Sequence, residues 1–219
     1  MSARKVFVLS DFDGTITTHN TMDTLYEIHA SCGMQYVREW EAGKLSTMEE
    51  EKISFQHIKA TRAEMEQTID EHMVMDPDTG ALIAYCRNQG YGFAIISEGQ
   101  TWYIHYMLGK KNLSVDKVYG SELTFNPDGT FSMTYPYSDP RFPMRGTAKA
   151  AIIENYKKAA YFTIFIGDGK SDTDAVRAAD KVYAKGHLLE YCLRNQIPGT
   201  GFEDFKGLLQ LWAERAPAP

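Results

Sequence analysis

Three short apolar runs recur along the chain: Val6-Phe7-Val8-Leu9, Phe93-Ala94-Ile95-Ile96 and Phe162-Thr163-Ile164-Phe165-Ile166. Each is too short for an independent helix, is rich in β-branched or aromatic residues, and ends at a polar or glycine-containing turn. Strands covered on both faces lose the in–out alternation of a half-exposed strand, so these runs predict buried parallel strands. Val182-Tyr183-Ala184 predicts a weaker fourth. Between the runs the spacing turns helical. Residues 79–88 lead through Gly90 and Gly92 into the second run, and residues 147–158 set Ala148, Ala151, Ile152 and Tyr156 at helical intervals before the third. Asp172 to Ala179 opens another helix. Strands alternating with helices predict an α/β fold with a mainly parallel sheet.

Residues 19–76 break this rhythm. They hold no strand-like run, while Glu, Lys and Met abound, as in Met48-Glu49-Glu50-Glu51-Lys52-Ile53-Ser54-Phe55. Several consecutive helices are expected there, an insert of residues 19–76 in a core made of residues 1–18 and 77–219. Asp76-Pro77-Asp78 marks its end, because proline biases the residue before it out of helix. Leu123 to Met133 alternates around Asp128-Gly129, a strong hairpin signal.

Composition narrows the function classes. A chain of 219 residues, 43% hydrophobic, can bury a core without disulfide or metal staples. Its 23 basic against 29 acidic residues give a net charge of −6, the wrong sign for gripping nucleic acid or an anionic membrane. A phosphorylated substrate would then need locally arranged positive charge or a cation. Cys32, Cys86 and Cys192 lie far apart without a CxxC pair, which fits reduced thiols. The basic start Met1-Ser2-Ala3-Arg4-Lys5 is followed by an apolar run too short for a signal peptide. A cytoplasmic protein with a small-molecule partner is expected; the sequence leaves a homodimer open.

The chemistry lies in the turns at the carboxyl ends of the three runs: Asp11-Phe12-Asp13-Gly14-Thr15, Ser97-Glu98-Gly99, and Gly167-Asp168-Gly169-Lys170-Ser171-Asp172. Ligands of open α/β sheets bind outside the carboxyl ends of the strands, so these turns should converge on one rim. Asp11, Asp13, Asp168 and Asp172 crowded together would repel one another. A hard divalent cation resolves that repulsion, and oxygen-only ligands favour Mg²⁺. A cation site that also holds an anion implies phosphoryl chemistry. Asp11 is then the nucleophile that forms an aspartyl-phosphate, and Asp13 the acid and base. Thr15 and Ser97 offer hydroxyls, and the turns around Gly14 and through Glu98 and Gly99 offer backbone amides to phosphate. Lys149, at the expected start of a helix, supplies positive charge.

Other readings compete. A phosphotransferase would use the same intermediate, and a phospho-accepting signalling module also clusters acids around Mg²⁺. The latter has no use for Asp13 or for a large insert. Gly169-Lys170-Ser171 is not a P-loop, since Ile164 stands where its first glycine is required. His19, Asn20, Arg38 and Lys52 are candidate substrate contacts near or within the insert, with Glu27, Trp40, His57 and Arg62 behind them. For each of the insert residues a solvated helix face is the competing reading.

Taken in order, Asp11-Phe12-Asp13-Gly14-Thr15, Ser97, Lys149 and Gly167-Asp168-Gly169-Lys170-Ser171-Asp172 resemble the four motifs of the haloacid dehalogenase superfamily phosphatases. The resemblance implies a Rossmann-like core and Mg²⁺ held by Asp11, the carbonyl of Asp13 and Asp168, with Asp172 in support. It also implies Lys149 and Ser97 on the phosphate. The insert after the first motif is similar to the small helical cap of the phosphoserine-phosphatase-like branch. Within that branch Leu188-Leu189-Glu190-Tyr191-Cys192 and Phe202-Glu203-Asp204-Phe205 resemble the methionine-salvage 2-hydroxy-3-keto-5-methylthiopentenyl-1-phosphate phosphatases. Serine-phosphate enzymes of the branch carry glutamate nine residues after the nucleophile; Asn20 stands there instead, which weakens phosphoserine as the substrate.

Overall fold

The first apolar run forms β1 (Val6–Ser10), the second opens β2 (Gly92–Gln100) and the third forms β5 (Phe162–Gly167). A computed structural model describes residues 4–217; the first three residues of the basic start lie outside the described residues. β1 pairs in parallel with β2 on one side and with β5 on the other. The sheet extends through β3 (Lys117–Phe125) and β4 (Phe131–Thr134) at one edge. At the other edge lie β6 (Lys181–Ala184) and the short β7 (Thr200–Gly201). Its order is β4-β3-β2-β1-β5-β6-β7, and only the β3–β4 pair is antiparallel. The chain leaves β1 toward β2 and returns to β1's other side as β5, so the order reverses at β1, where ligand crevices form.

Neighbouring residues of each central strand serve opposite layers. Val6, Val8, Phe93, Ile95, Ile164 and Ile166 pack against α5 (Thr79–Asn88), α6 (Thr101–Lys110) and α10 (Phe205–Glu214). Phe7, Leu9, Ala94, Ile96 and Phe165 pack against α7 (Lys149–Lys158), α8 (Ala175–Ala178) and α9 (Gly186–Arg194). Both faces being covered, the strands read as continuous apolar runs.

Between β1 and α5 the chain forms α1 (Thr21–His29), α2 (Gln35–Glu41), α3 (Thr47–Ser54) and α4 (Arg62–His72). Ser46 with Glu49 and Thr61 with Glu64 close capping boxes at the starts of α3 and α4, satisfying amides that would otherwise be orphaned. Leu25, Phe55, Met65 and Ile69 bury their side chains in the same layer as α5 and α6, so the insert shares a core with the sheet. None of the helices among the described residues is long and apolar enough to cross a membrane.

The structure departs from expectation at the edges. Lys117 to Tyr119 pair with β2, although this half-exposed edge segment has no apolar run to mark it. The helix expected from Asp172 to Ala179 splits into a 3₁₀ turn at Lys170–Asp172 and the single-turn α8, because the Asp172 side chain turns back to accept from the amides of Asp168 and Gly169. The expected hairpin forms across Leu123–Met133.

Phe165 is fully buried in the α7–α9 layer, whereas Leu193 is 71% exposed. Phe165→Ala should destabilise by about 3–5 kcal/mol, and Leu193→Ala by no more than about 0.5 kcal/mol, read from urea unfolding midpoints.

Candidate active site

The first turn after β1 builds the floor of the site. The Phe12 carbonyl accepts from the amides of Thr15, Ile16 and Thr17, which folds residues 11–17 into a tight loop. Gly14 takes φ +78° there, and a Cβ at this position would collide with the Asp168 carboxylate, so glycine lets β1's loop close onto β5's. Asp11 is buried, and its Oδ1 stands 2.8 Å from Lys149 Nζ. The same ammonium is 2.6 Å from Asp172 Oδ1. Asp172's other oxygen accepts from the amides of Asp168 and Gly169 at 3.0 Å each. Asp11, Asp168 and Asp172 can each present one oxygen within 4.8 Å of the others.

Asp13 is held differently. Its Oδ1 accepts from the Thr21 amide at the start of α1 (2.9 Å), and its Oδ2 accepts from the Tyr103 hydroxyl of α6 (2.5 Å). Gly99 makes room for that pair, since a Cβ there would strike the Tyr103 hydroxyl and approach Asp13 Oδ2. Ser97 is buried at the cavity wall, where its hydroxyl accepts from the Gly99 amide (3.0 Å).

These groups open into a cavity of about 420 Å³ lined by Asp11, Asp13, Ser97, Glu98, Gly99 and Asp168, and by residues of α1, α2 and α3. The five turn residues expected to converge, Asp11, Asp13, Ser97, Asp168 and Asp172, do converge. Others sit where the sequence did not place them. The Thr15 hydroxyl donates to Asp168 Oδ1 (2.5 Å), so it braces a carboxylate instead of facing the cavity. Glu98 Oε2 accepts from the amides of Gly146 and Thr147 (3.0 and 3.3 Å), anchoring the loop before α7. His19 and Asn20 reach the cavity rim, and Asn20 also caps α1 by accepting from the amides of Met22 and Asp23. Arg38 and Lys52 are exposed and line no part of this cavity; Lys52 borders a separate groove between α3 and the β3–β4 hairpin. Of the other insert candidates only Trp40 lines the site, while Glu27, His57 and Arg62 do not.

Tyr103, Asp23, Glu50 and Glu51 were not anticipated. Nothing local marks Tyr103, which comes from the helix after β2. Ser46's capping box is the one signal that could have phased α3, and with it the turn that carries Glu50 and Glu51.

Burial acts in the same direction on both aspartates of the first turn, against different opposing partners. Burial raises the Asp11 pKa, repulsion by Asp172 adds to this, and Lys149 opposes it; the net shift is well upward. Burial also works against the Lys149 charge, but Asp11 and Asp172 overcome it and raise its pKa. Burial raises Asp13, with the Thr21 and Tyr103 donors pulling the other way. Asp168 is pushed up to about 6 by burial and by Asp172. In the insert, burial drives Glu50 up to about 7, the Ser54 hydroxyl opposing it. A carboxyl whose folded pKa is raised costs nothing while protonated in both states, destabilises the fold increasingly as pH climbs from its ordinary value to the folded one, and keeps that full cost above it. Glu50→Gln should therefore stabilise the protein by about 2–3 kcal/mol near pH 8, and this advantage should vanish near pH 4 in urea titrations run at both.

Residues 8–177 match the haloacid dehalogenase-like hydrolase family. The chain is 25% identical to the Pdp3-interacting factor 1 of Schizosaccharomyces pombe, covering 92% of each chain. It is also 25% identical to a Brevibacillus brevis protein named 2-hydroxy-3-keto-5-methylthiopentenyl-1-phosphate phosphatase, over 95% of this chain and 96% of that one. A solved structure of a phospho-aspartyl intermediate analogue of phosphoserine phosphatase superposes with a TM-score of 0.71 at 20% identity, covering 95% of this chain and 99% of the other. That likeness shows a shared fold. With the family match spanning most of the sheet and the acidic rim at its centre, the chain belongs to the haloacid dehalogenase-like hydrolases.

Proposed function

We propose that the protein is a Mg²⁺-dependent phosphomonoester hydrolase of a small phosphorylated metabolite, acting through an aspartyl-phosphate on Asp11. The observation that carries this reading is the contrast between two aspartates on one cavity wall. Asp11 is paired with a buried ammonium, and Asp13 with a phenol and a helix amide. Several relatives are named as phosphatases of a small phosphate ester, in line with the cavity's size.

The donor set fits a hard dication. Asp11, Asp168 and Asp172 offer only carboxylate oxygens, and one ammonium leaves their summed charge uncompensated. Asp11 and Asp168, which line the cavity, would hold Mg²⁺ with the carbonyl of Asp13, and Asp172, fully buried behind them, would support it. Bound there, Mg²⁺ supplies charge stabilisation for the phosphoryl oxygens.

The protein's own groups do the rest. Lys149 pairs with one Asp11 oxygen and opposes the upward pull of burial on that carboxyl, leaving the other oxygen free to bond phosphorus as the ester's P–O bond breaks. Asp13, its pKa raised, gives its proton to the departing alkoxide. The ionised Asp13 then takes a proton from water, which attacks phosphorus and releases Asp11. Two carboxylates thereby take two roles because their surroundings differ. Tyr103 and the α1 amide hold Asp13 in place for both proton transfers. The Ser97 hydroxyl, which lines the cavity, would meet a phosphate oxygen in this reading. Residues 19–76 serve as a cap over the core formed by 1–18 and 77–219, excluding water and choosing the leaving group.

Asp11→Asn should abolish hydrolysis of p-nitrophenyl phosphate with the circular dichroism spectrum unchanged; parental activity would remove Asp11 as nucleophile. Asp13→Ala should cost about 10²–10⁴ in kcat, and unaltered kinetics would end its acid–base role. EDTA should stop turnover and added Mg²⁺ restore it.

A further inference from the structure

We propose that the cap half of the cavity receives a cation: the substrate is the phosphate monoester of an amino alcohol whose leaving group carries an ammonium and no carboxylate. This rests on the phosphatase reading above and names its substrate class.

The cap lines the cavity with acids and aromatics. Asp23 from α1 and Glu50 and Glu51 from α3 face it together with Tyr26 and Trp40. No lysine or arginine of residues 19–76 lines it. Glu51 is 3% exposed. Its Oε1 accepts from Gln100 Nε2 (2.7 Å), while its Oε2 has no hydrogen-bond partner, although the Tyr135 hydroxyl faces the same carboxylate. The Tyr26 hydroxyl is likewise buried and unpartnered. An orphaned buried carboxylate oxygen on a cavity wall is costly, and fold stability gives no reason to keep it.

The charged groups that act most on Asp23 and Glu51 share their sign. Asp13, Glu50, Glu41 and Glu27 act on Asp23; Glu50 and Glu98 act on Glu51. Burial, with those charges, drives Asp23 up to about 7. Behind the phosphate end lie Lys149 and the acids of the dication site, and Lys170 of β5's loop lines the cavity on the core side, whereas residues 19–76 line it with carboxylates and, among the described residues, no basic side chain but His19. A ligand ammonium supplies the missing charge and donors for the free oxygens, and aromatic walls add attraction for it. A leaving group with its own carboxylate would meet like charges, which argues against amino-acid phosphates. A neutral polyol could donate hydrogen bonds but would leave the acids uncompensated.

The test compares kcat/KM of the Mg²⁺-loaded protein for phosphoethanolamine, glycerol 1-phosphate and phosphoserine. Phosphoethanolamine should lead both by about tenfold or more, an advantage worth about 1.4 kcal/mol. Glu51→Gln and Glu50→Gln should each shrink the ratio of phosphoethanolamine to glycerol phosphate several-fold. Calorimetry on the Asp11→Asn protein near pH 7, in buffers of different ionisation enthalpy, gives a readout independent of turnover and of whether the cap variants fold. Phosphoethanolamine should release more protons than glycerol phosphate, because a bound cation lowers the raised carboxyl pKa values. Equal or better turnover of glycerol phosphate, with no excess proton release, overturns the inference in favour of a polyol ester; preference for phosphoserine overturns it too. Hydrolysis of p-nitrophenyl phosphate without preference among the three defeats this inference alone. Failure to hydrolyse any ester defeats the phosphatase reading and this inference with it.

Discussion

One buried ammonium holds the site together. Lys149 leaves the first turn of α7 and ends between Asp11 of β1's loop and Asp172 of β5's loop, almost wholly out of solvent. Removing one partner from a buried ion cluster leaves an uncompensated charge, at a cost of about 3–5 kcal/mol. The two loops are therefore locked to each other through a side chain that belongs to neither. Asp172 passes the constraint on, because the oxygen not used by Lys149 fixes the amides of Asp168 and Gly169. Thr15 completes the circuit from β1's loop to Asp168.

That arrangement divides the cavity into two electrostatic halves. Toward the sheet, carboxylates are balanced in part by Lys149 and retain charge for a dication. Toward the insert, Asp23, Glu50 and Glu51 have no such balance, and burial raises each of them. Keeping raised-pKa carboxyls in a folded protein sacrifices stability, a pattern found where function requires it. The insert buries Leu25, Phe55, Met65 and Ile69 against the core, so its acids are presented by helices with a firm apolar footing.

Legibility followed physical cause. The central strands were readable because burial on both faces forces unbroken apolar runs, and α5 and α7 because one covered face imposes helical spacing. The first half of β3 was not, since Lys117 to Tyr119 lie half-exposed near the sheet edge and carry no such run. β7 spans only Thr200 and Gly201, too short for any period. In the site, Asp11, Asp13, Ser97 and Asp168 were legible as polar residues at strand ends. Arg38 and Lys52 lie in the insert without a motif to orient them, and charge does not say which side of a helix meets the cavity.

The sequence by itself settled which groups stand at the mouth of the sheet, because strand ends and turns are local matters of apolar period and glycine placement. It also settled that acids outnumber bases there, which is the ground for expecting a cation among them. Only the tertiary structure decided what each group does. Thr15 and Glu98 became braces, Tyr103 became Asp13's partner from ninety residues away, and Glu51 was left with an oxygen unpaired on the cavity wall. Hydrogen bonds and charge interactions depend on separations of a few ångströms between chain-distant atoms, and no spacing along the chain encodes those distances.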